Sequence, residues 1–373
     1  MGLTVLCALA GTAQAQSNVT IFGIIDMAVS KANSGQSNLG YFSDWQIGRT
    51  GQWVMHSASS SRLGIRGTED LGGGWKAGFL LDHRFQPDTG TVEPRDGVTF
   101  SGGNRSYTPG FWNAQAYVNL ISASYGELRL GRNATPTFNL GLATDPWALE
   151  YNVAGFAGFT RGGNFVGASN NAVTYFTPSI GGFVGQILVG LGEGGAAAAT
   201  ATAPPNGRNV GLGLRYNAGP LMAAIAYNDS KRSDNILNRT TAVGLIYDFP
   251  WFKLFSNYSM GKNSIPSNAT SKTWLLGAHI PVGQTGYVRT AIGEYDPAVG
   301  FNPNAIAPGA TAATAPNPYA AYAVTQGQDS FKFGLGYVYL LSKRTSLSAD
   351  VGTNKTETFT RSSGVQAAIK HMF

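Results

Sequence analysis

Arg62-Leu63-Gly64-Ile65-Arg66-Gly67 reads as a strand with two unlike faces. Successive strand side chains point to opposite sides, so Leu63 and Ile65 share one face and Arg62 and Arg66 the other. In a membrane wall, either arginine turned toward lipid would cost roughly 2–4 kcal/mol near the midplane. The aliphatic pair therefore belongs to lipid and the arginines to water.

The same alternation runs outward along the chain. Trp75, Ala77, Phe79, Leu81, His83 and Phe85 oppose Lys76, Gly78, Asp82 and Arg84. Val210, Leu212, Leu214 and Tyr216 oppose Gly211, Gly213, Arg215 and Asn217. Near the end, Val365, Ala367, Ile369 and Phe373 oppose Gln366, Lys370 and Met372. Arg129, Lys253 and Lys332 fall on the inner face by the same count. These cations either set the selectivity of a pore or only solvate it and pair with nearby acids.

Short turns (69–74, 218–220, Pro250, 342–344) alternate with long ones (32–52, 88–108, 134–160, 192–207, 297–328). An up-and-down barrel places short turns on the periplasmic side and long loops outside. The intervals give about sixteen strands, an even number with both chain ends periplasmic. Aromatics gather near the short turns (Tyr175, Phe176, Phe183, Tyr216, Tyr247, Phe249, Trp251, Phe252), as an interfacial girdle requires.

Composition agrees. Of 373 residues 50 are Gly, and only 12% are charged. No mature segment holds the run of about eighteen apolar residues that a spanning helix needs. A spanning chain without such runs must close its backbone hydrogen bonds in a barrel. The formal charge of +6 is scattered, without the basic stripe of a nucleic-acid binder. We expect an all-β, transmembrane sixteen-stranded antiparallel barrel over 16–373, as one domain.

Residues 1–15, MGLTVLCALAGTAQA, carry an apolar stretch and an Ala13-Gln14-Ala15 cleavage site, the marks of an export leader. The positive stretch that normally opens such a leader is missing, as expected of a start placed too late or of lost first residues. Cys7, the single cysteine, lies inside it.

Catalytic chemistry finds no foothold. His56, His83, His279 and His371 show no metal-ligand spacing, and no thiolate is at hand. Neither a nucleophile elbow nor a phosphate-binding loop is present. We expect no enzyme, no metal and no cofactor.

From Gln16 to Phe373 the chain resembles the Gram-negative general porins, specifically the beta-proteobacterial type. The residues that carry the resemblance are Val19 to Asp26, Ser60 to Gly72, Gln115-Ala116-Tyr117-Val118, Tyr125-Gly126 with Leu130-Gly131-Arg132, Leu341 to Thr345, and the closing Ile369 to Phe373. The resemblance implies a homotrimer in outer-membrane lipid. It implies a third loop folded into the lumen and wall arginines facing loop acids across a constriction. It makes terminal Phe373 a signal for the barrel assembly machinery. Arg62 matches the wall arginine, and Arg161 resembles a second member. Ala114 stands where the family often has a further arginine, and Arg84 is our substitute. With Arg66, Lys76 and Arg129 these form the expected basic wall. The third loop, roughly 133–159, lacks the family's Pro-Glu-Phe-Gly-Gly stretch. Asp145 and Glu150 take its acidic role.

The implied function is passive diffusion of small hydrophilic solutes and ions, with moderate anion preference from the charge ring. The alternative is a substrate-specific channel with a binding site in the constriction, where Phe138 and Trp147 could form a track.

Overall fold

The computed structural model describes residues 18–33, 51–93, 98–101, 104–107, 110–160, 167–191, 208–231, 237–263, 270–297, 329–356 and 361–373. The expected leader, Arg161 and most of the long outer loops lie outside these.

In chain order the strands are β1 Asn18–Ala32, β2 Trp53–Ser57, β3 Ser61–Gly72, β4 Trp75–Gln86, β5 Thr91–Val92, β6 Val98–Ser101, β7 Asn104–Tyr107, β8 Gln115–Ser122, β9 Gly126–Ala134 and β10 Ala168–Phe176. They continue as β11 Phe183–Gly190, β12 Asn209–Ala218, β13 Leu221–Lys231, β14 Leu237–Asp248, β15 Lys253–Asn263, β16 Thr270–Val282, β17 Gly286–Pro297, β18 Ser330–Leu340, β19 Thr345–Thr356 and β20 Ser362–Met372. Sixteen of them, β1, β3, β4 and β8–β20, form a closed antiparallel barrel. β2 and β5 extend it at the outer rim, and β6 and β7 pair separately.

Closure comes from β20 on β1, with Asp26 opposite Lys370 and Ala28 opposite Ala368. Below that stretch β1 continues onto β3, with Ile24 opposite Arg62 and Thr20 opposite Arg66. The backbones of Gly23 and Phe373 exchange two hydrogen bonds, 3.0 and 3.1 Å, which ties down the last residue.

The register confirms the alternation. Outward positions leave Ile21, Ile25, Leu63, Val118, Leu212, Ile225, Val243, Leu276, Leu335, Val351 and Ile369 exposed. So continuous an apolar surface has no place in water and fits lipid. Tyr216 packs on Phe183 (4.6 Å), and Phe249 on Tyr247 (4.4 Å) and Phe252 (4.6 Å), at the ends with short turns. Phe176 is an exception to the expected girdle: paired with Glu127, it faces inward over Arg129.

The loop after β9 enters the lumen and contains a helix, α1 Pro136–Thr144. Its start follows from local chemistry. Thr135 accepts a hydrogen bond from the Phe138 N–H (3.2 Å), and Pro136 opens the first turn, where a missing N–H is harmless. The turn pattern of the sequence reads this stretch only as part of a long loop.

Candidate functional site

The inward loop follows one arc of the inner wall, and glycines make its seat. Pro136 lies on Gly211 and Gly213, and Thr144 and Leu140 lie on Gly244. Pro146 lies on Gly277, Phe156 and Phe159 on Gly293, Ala154 and Trp147 on Gly334, and Val153 on Gly352 and Gly364. A Cβ at Gly352 would collide with the Val153 carbonyl. These glycines occupy inner positions on β12, β14 and β16–β20, so the loop covers that arc and leaves β3, β4, β8, β9 and β10 open.

Buried charges fix the loop in its seat. The Arg289 guanidinium grips Asp350 with Nε and Nη2 (both 2.9 Å) and donates from Nη1 to Glu150 (2.8 Å). Such bidentate pairing holds orientation as well as charge. Asp350 also accepts from Trp147 Nε1 and Asn152 Nδ2, each 2.9 Å. Lys370 bonds Glu150 and lies 3.2 Å from Asp26. His279 donates to the Pro146 carbonyl (2.8 Å), and Asn257 to the Thr144 hydroxyl (2.8 Å). Tyr151 bonds Glu93, which also accepts from Ser60 (3.0 Å).

Both sequence-predicted loop acids sit in this seat. Asp145 is 2% exposed and Glu150 8%. The Asp145 carboxylate accepts the N–H groups of Trp147 (2.9 Å) and Leu149 (3.1 Å), closing the turn after α1. Burial pushes its carboxyl up to about 6, against the pull of those two N–H groups. Burial also acts to raise Glu150, but the Arg289 guanidinium and the Lys370 ammonium outweigh it and bring Glu150 down to about 2. Trp147, expected as part of a solute track, is fully buried under the loop. The loop instead presents Leu142, Ala148 and Leu149 to the passage.

Five of the sequence-predicted cations occupy the open arc, whereas Lys332 lies buried on β18 beside Phe156 and Lys253 lies on β15. Arg62 and Arg66 point inward from β3, and Lys76 and Arg84 from β4. Arg129 points inward from β9, opposite Asn119 and Thr174. Arg62 and Arg84 are direct cross-strand partners. Arg84 is buried, binding Asp82 (3.0 Å) and the Ser60 carbonyl (3.0 Å). Arg129 binds Glu127 (2.7 and 2.8 Å) and lies between the rings of Tyr117 (4.7 Å) and Phe176 (4.5 Å). Arg66 is exposed and lies 5.2 Å over Phe22. Lys76 is exposed, opposite Asp70. On β3, β4, β8 and β9 the inward cations Arg62, Arg66, Lys76, Arg84 and Arg129 face the inward acids Asp70, Asp82 and Glu127, so the open arc is net positive.

The sequence profile of the Gram-negative porin family matches residues 2–358. The chain belongs to the Gram-negative porin family. This porin is 30% identical over 369 residues to outer membrane porin protein 32 of Delftia acidovorans, covering 93% of this chain and 86% of that one. It is 30% identical over 413 residues to an outer membrane porin protein of Bordetella pertussis, covering 100% and 99%. Among solved structures, the anion-selective porin from Comamonas acidovorans superposes with a TM-score of 0.70 at 26% identity, over 96% of this chain and 100% of that one. The porin is thus a channel of the Gram-negative outer membrane, crossing it as a β-barrel.

Arg289, Asp350, Lys370, Asp26 and Glu93 are site residues that sequence reasoning missed. Arg289, Asp350, Lys370 and Asp26 lie at inward strand positions, whereas Glu93 falls in the stretch read as a long loop. What tied them together, the loop's path across distant strands, leaves no local trace.

Proposed function

We propose that the porin is a passive diffusion channel for small hydrophilic solutes and ions, with a moderate preference for anions and no catalytic activity. One observation carries this reading: the inward cations of the open arc outnumber its acids, while of the loop acids Glu150 is held in buried ion pairs and Asp145 is buried on backbone N–H groups. A passing ion therefore meets Arg62, Arg66, Lys76 and Arg129, and only the field of the buried Arg84, without a facing acidic rim from Asp145 or Glu150. Arg161 is kept as a further member of the basic wall. The name of the Comamonas neighbour, an anion-selective porin, supports the same sign.

One arginine about 7 Å from an anion is worth roughly 0.6 kcal/mol in water-like dielectric before screening, a bias of about threefold. Such a field favours anions without excluding cations. The working unit is a homotrimer in outer-membrane lipid, and Phe373 is the residue read by the barrel assembly machinery. The test is a planar-bilayer reversal potential across a potassium chloride gradient. Chloride preference is expected, with conductance steps in threes; potassium preference would refute the assignment.

A further inference from the structure

Both faces of the passage carry more hydrocarbon than small ions require. On the wall side, inward positions interleave apolar groups with the cations. Ile24 is the cross-strand partner of Arg62, and Leu80 that of Arg66. Phe22 lies under the Arg66 guanidinium at 5.2 Å, and Tyr117 and Phe176 flank Arg129. Phe22, Ile24, Leu80, Tyr117 and Phe176 all remain partly exposed. The loop side is apolar as well. Its inner surface is seated on β12–β20, so its exposed side chains look back across the passage. Leu142 is 42% exposed, Ala148 is exposed, and Leu149 is half-buried.

The loop tip is held in an unusual backbone. Ala148 (φ 50°) and Leu149 (φ 60°) are both left-handed. Each such residue costs roughly 1–2 kcal/mol when a Cβ is present, and glycine would make the same turn freely. Non-glycine left-handed residues concentrate where a side chain must be presented to a ligand or a switch. Here the strained positions carry the methyl and isobutyl groups of an exposed Ala148 and a half-buried Leu149.

Water and inorganic ions gain nothing from these groups. A solute with one negative head and a hydrocarbon body gains from both walls at once. We infer that the constriction favours amphipathic organic monoanions, chiefly carboxylates with an aliphatic or aromatic body, over compact anions of the same charge. The head rides on Arg62, Arg66 and Arg129, and the body slides between Leu142, Ala148 and Leu149 on one side and Phe22, Ile24 and Leu80 on the other. The inference rests on the anion-channel reading and narrows its substrate class.

The test uses the whole porin in planar bilayers. Bi-ionic reversal potentials against chloride are recorded for acetate, butyrate, hexanoate and benzoate as sodium salts, each permeability being divided by the ion's aqueous mobility. The normalised ratio is expected to rise along the aliphatic series by about twofold per added methylene, since only part of each is buried in passing, and benzoate is expected above acetate. In Leu142→Ser/Leu149→Gly, whose changes lie on the exposed side of the loop, the series is expected to flatten. A wild-type ratio that stays level or falls along the series overturns the inference while leaving chloride preference intact. Loss of the rise only in the double variant supports it; an undiminished rise there overturns the role given to the loop tip. Potassium preference in plain potassium chloride would overturn the anion reading itself, and this inference with it.

Discussion

Two arcs of one inner wall carry the same residue types and do opposite things with them. Along β16–β20 the inward groups are glycines, with Arg289, Asp350 and Lys370 among them, and the space above them is filled by the loop. Along β3–β10 the inward groups include Arg62, Arg66, Lys76, Arg84 and Arg129, and of these five only Arg84 is buried. An arginine on the first arc is a bolt, desolvated and committed to Glu150 and Asp350. On the second arc Arg62, Arg66 and Arg129 remain at least partly exposed, while Arg84 is buried against Asp82. Inner-face charge alone therefore does not define a pore site; what covers it decides.

Removing a bolt should break the contrast most. Arg289→Ala leaves Glu150 with Lys370 alone and strips Asp350 of its guanidinium. Losing one partner of a buried pair costs about 3–5 kcal/mol. We expect the loop to leave its seat, seen as larger and noisier single-channel conductance with a lowered unfolding temperature. Gly352→Val should unseat the loop by a steric route, with every ion-pairing group still present. Unchanged conductance in both variants would mean the loop does not narrow the pore.

The next effect comes from the other arc. Arg62→Glu should move the chloride-to-potassium ratio several-fold toward potassium, from about 0.6 kcal/mol per unit charge at about 7 Å. Conductance should stay close to wild type, because the loop seat is untouched. A ratio that does not move would remove Arg62 from the ion path.

Acid sharpens the comparison further. Glu150 is held at about 2, below its ordinary value, so its ion pairs contribute fully above about 4.5 and are lost as pH falls from there toward 2. Asp145, raised to about 6, has the opposite sign: its ionisation weakens the fold as pH rises from about 4 to 6. Loop seating should thus hold from pH 8 to pH 5 and loosen below about 4.5, read as conductance fluctuations against pH. A transition centred at neutral pH would contradict the assignment of Glu150. The smallest change expected is for Thr135→Ala, which removes the cap of α1 and costs about 1 kcal/mol. It should appear in thermal unfolding with little change in selectivity.

Much of this architecture is legible in the sequence. Period-two patterning tells lipid from lumen at Arg62, Leu63, Ile65 and Arg66, and short turns against long ones count the strands. Parity cannot tell which inward residues are covered. By alternation Arg289 and Lys370 look the same as Arg66, and only the loop's route separates them. Inward glycines such as Gly277, Gly334 and Gly352 carry no sign in the alternation of what lies over them; they are the floor under Pro146, Ala154 and Val153. Thr135-Pro136 carries a plain helix-start signal that a long-loop reading passes over. Phe176 misleads because aromatics beside a short turn suit a lipid girdle, whereas its pairing with Glu127 turns it over Arg129. Trp147 misleads because a loop tryptophan near a constriction suggests a solute track, whereas its N–H is committed to Asp350.

The division of the wall is tested most directly by thiol accessibility. Cys7 is the only cysteine in the sequence and is replaced by serine in the background used. Arg66→Cys and Lys332→Cys then report on the open and covered arcs. A charged, water-borne thiol reagent added to the bilayer chamber should modify the cysteine at 66 rapidly, with a stepwise change in current, and leave the one at 332, beneath Phe156, unreacted. Equal reaction at both positions would show that the loop does not divide the lumen as described.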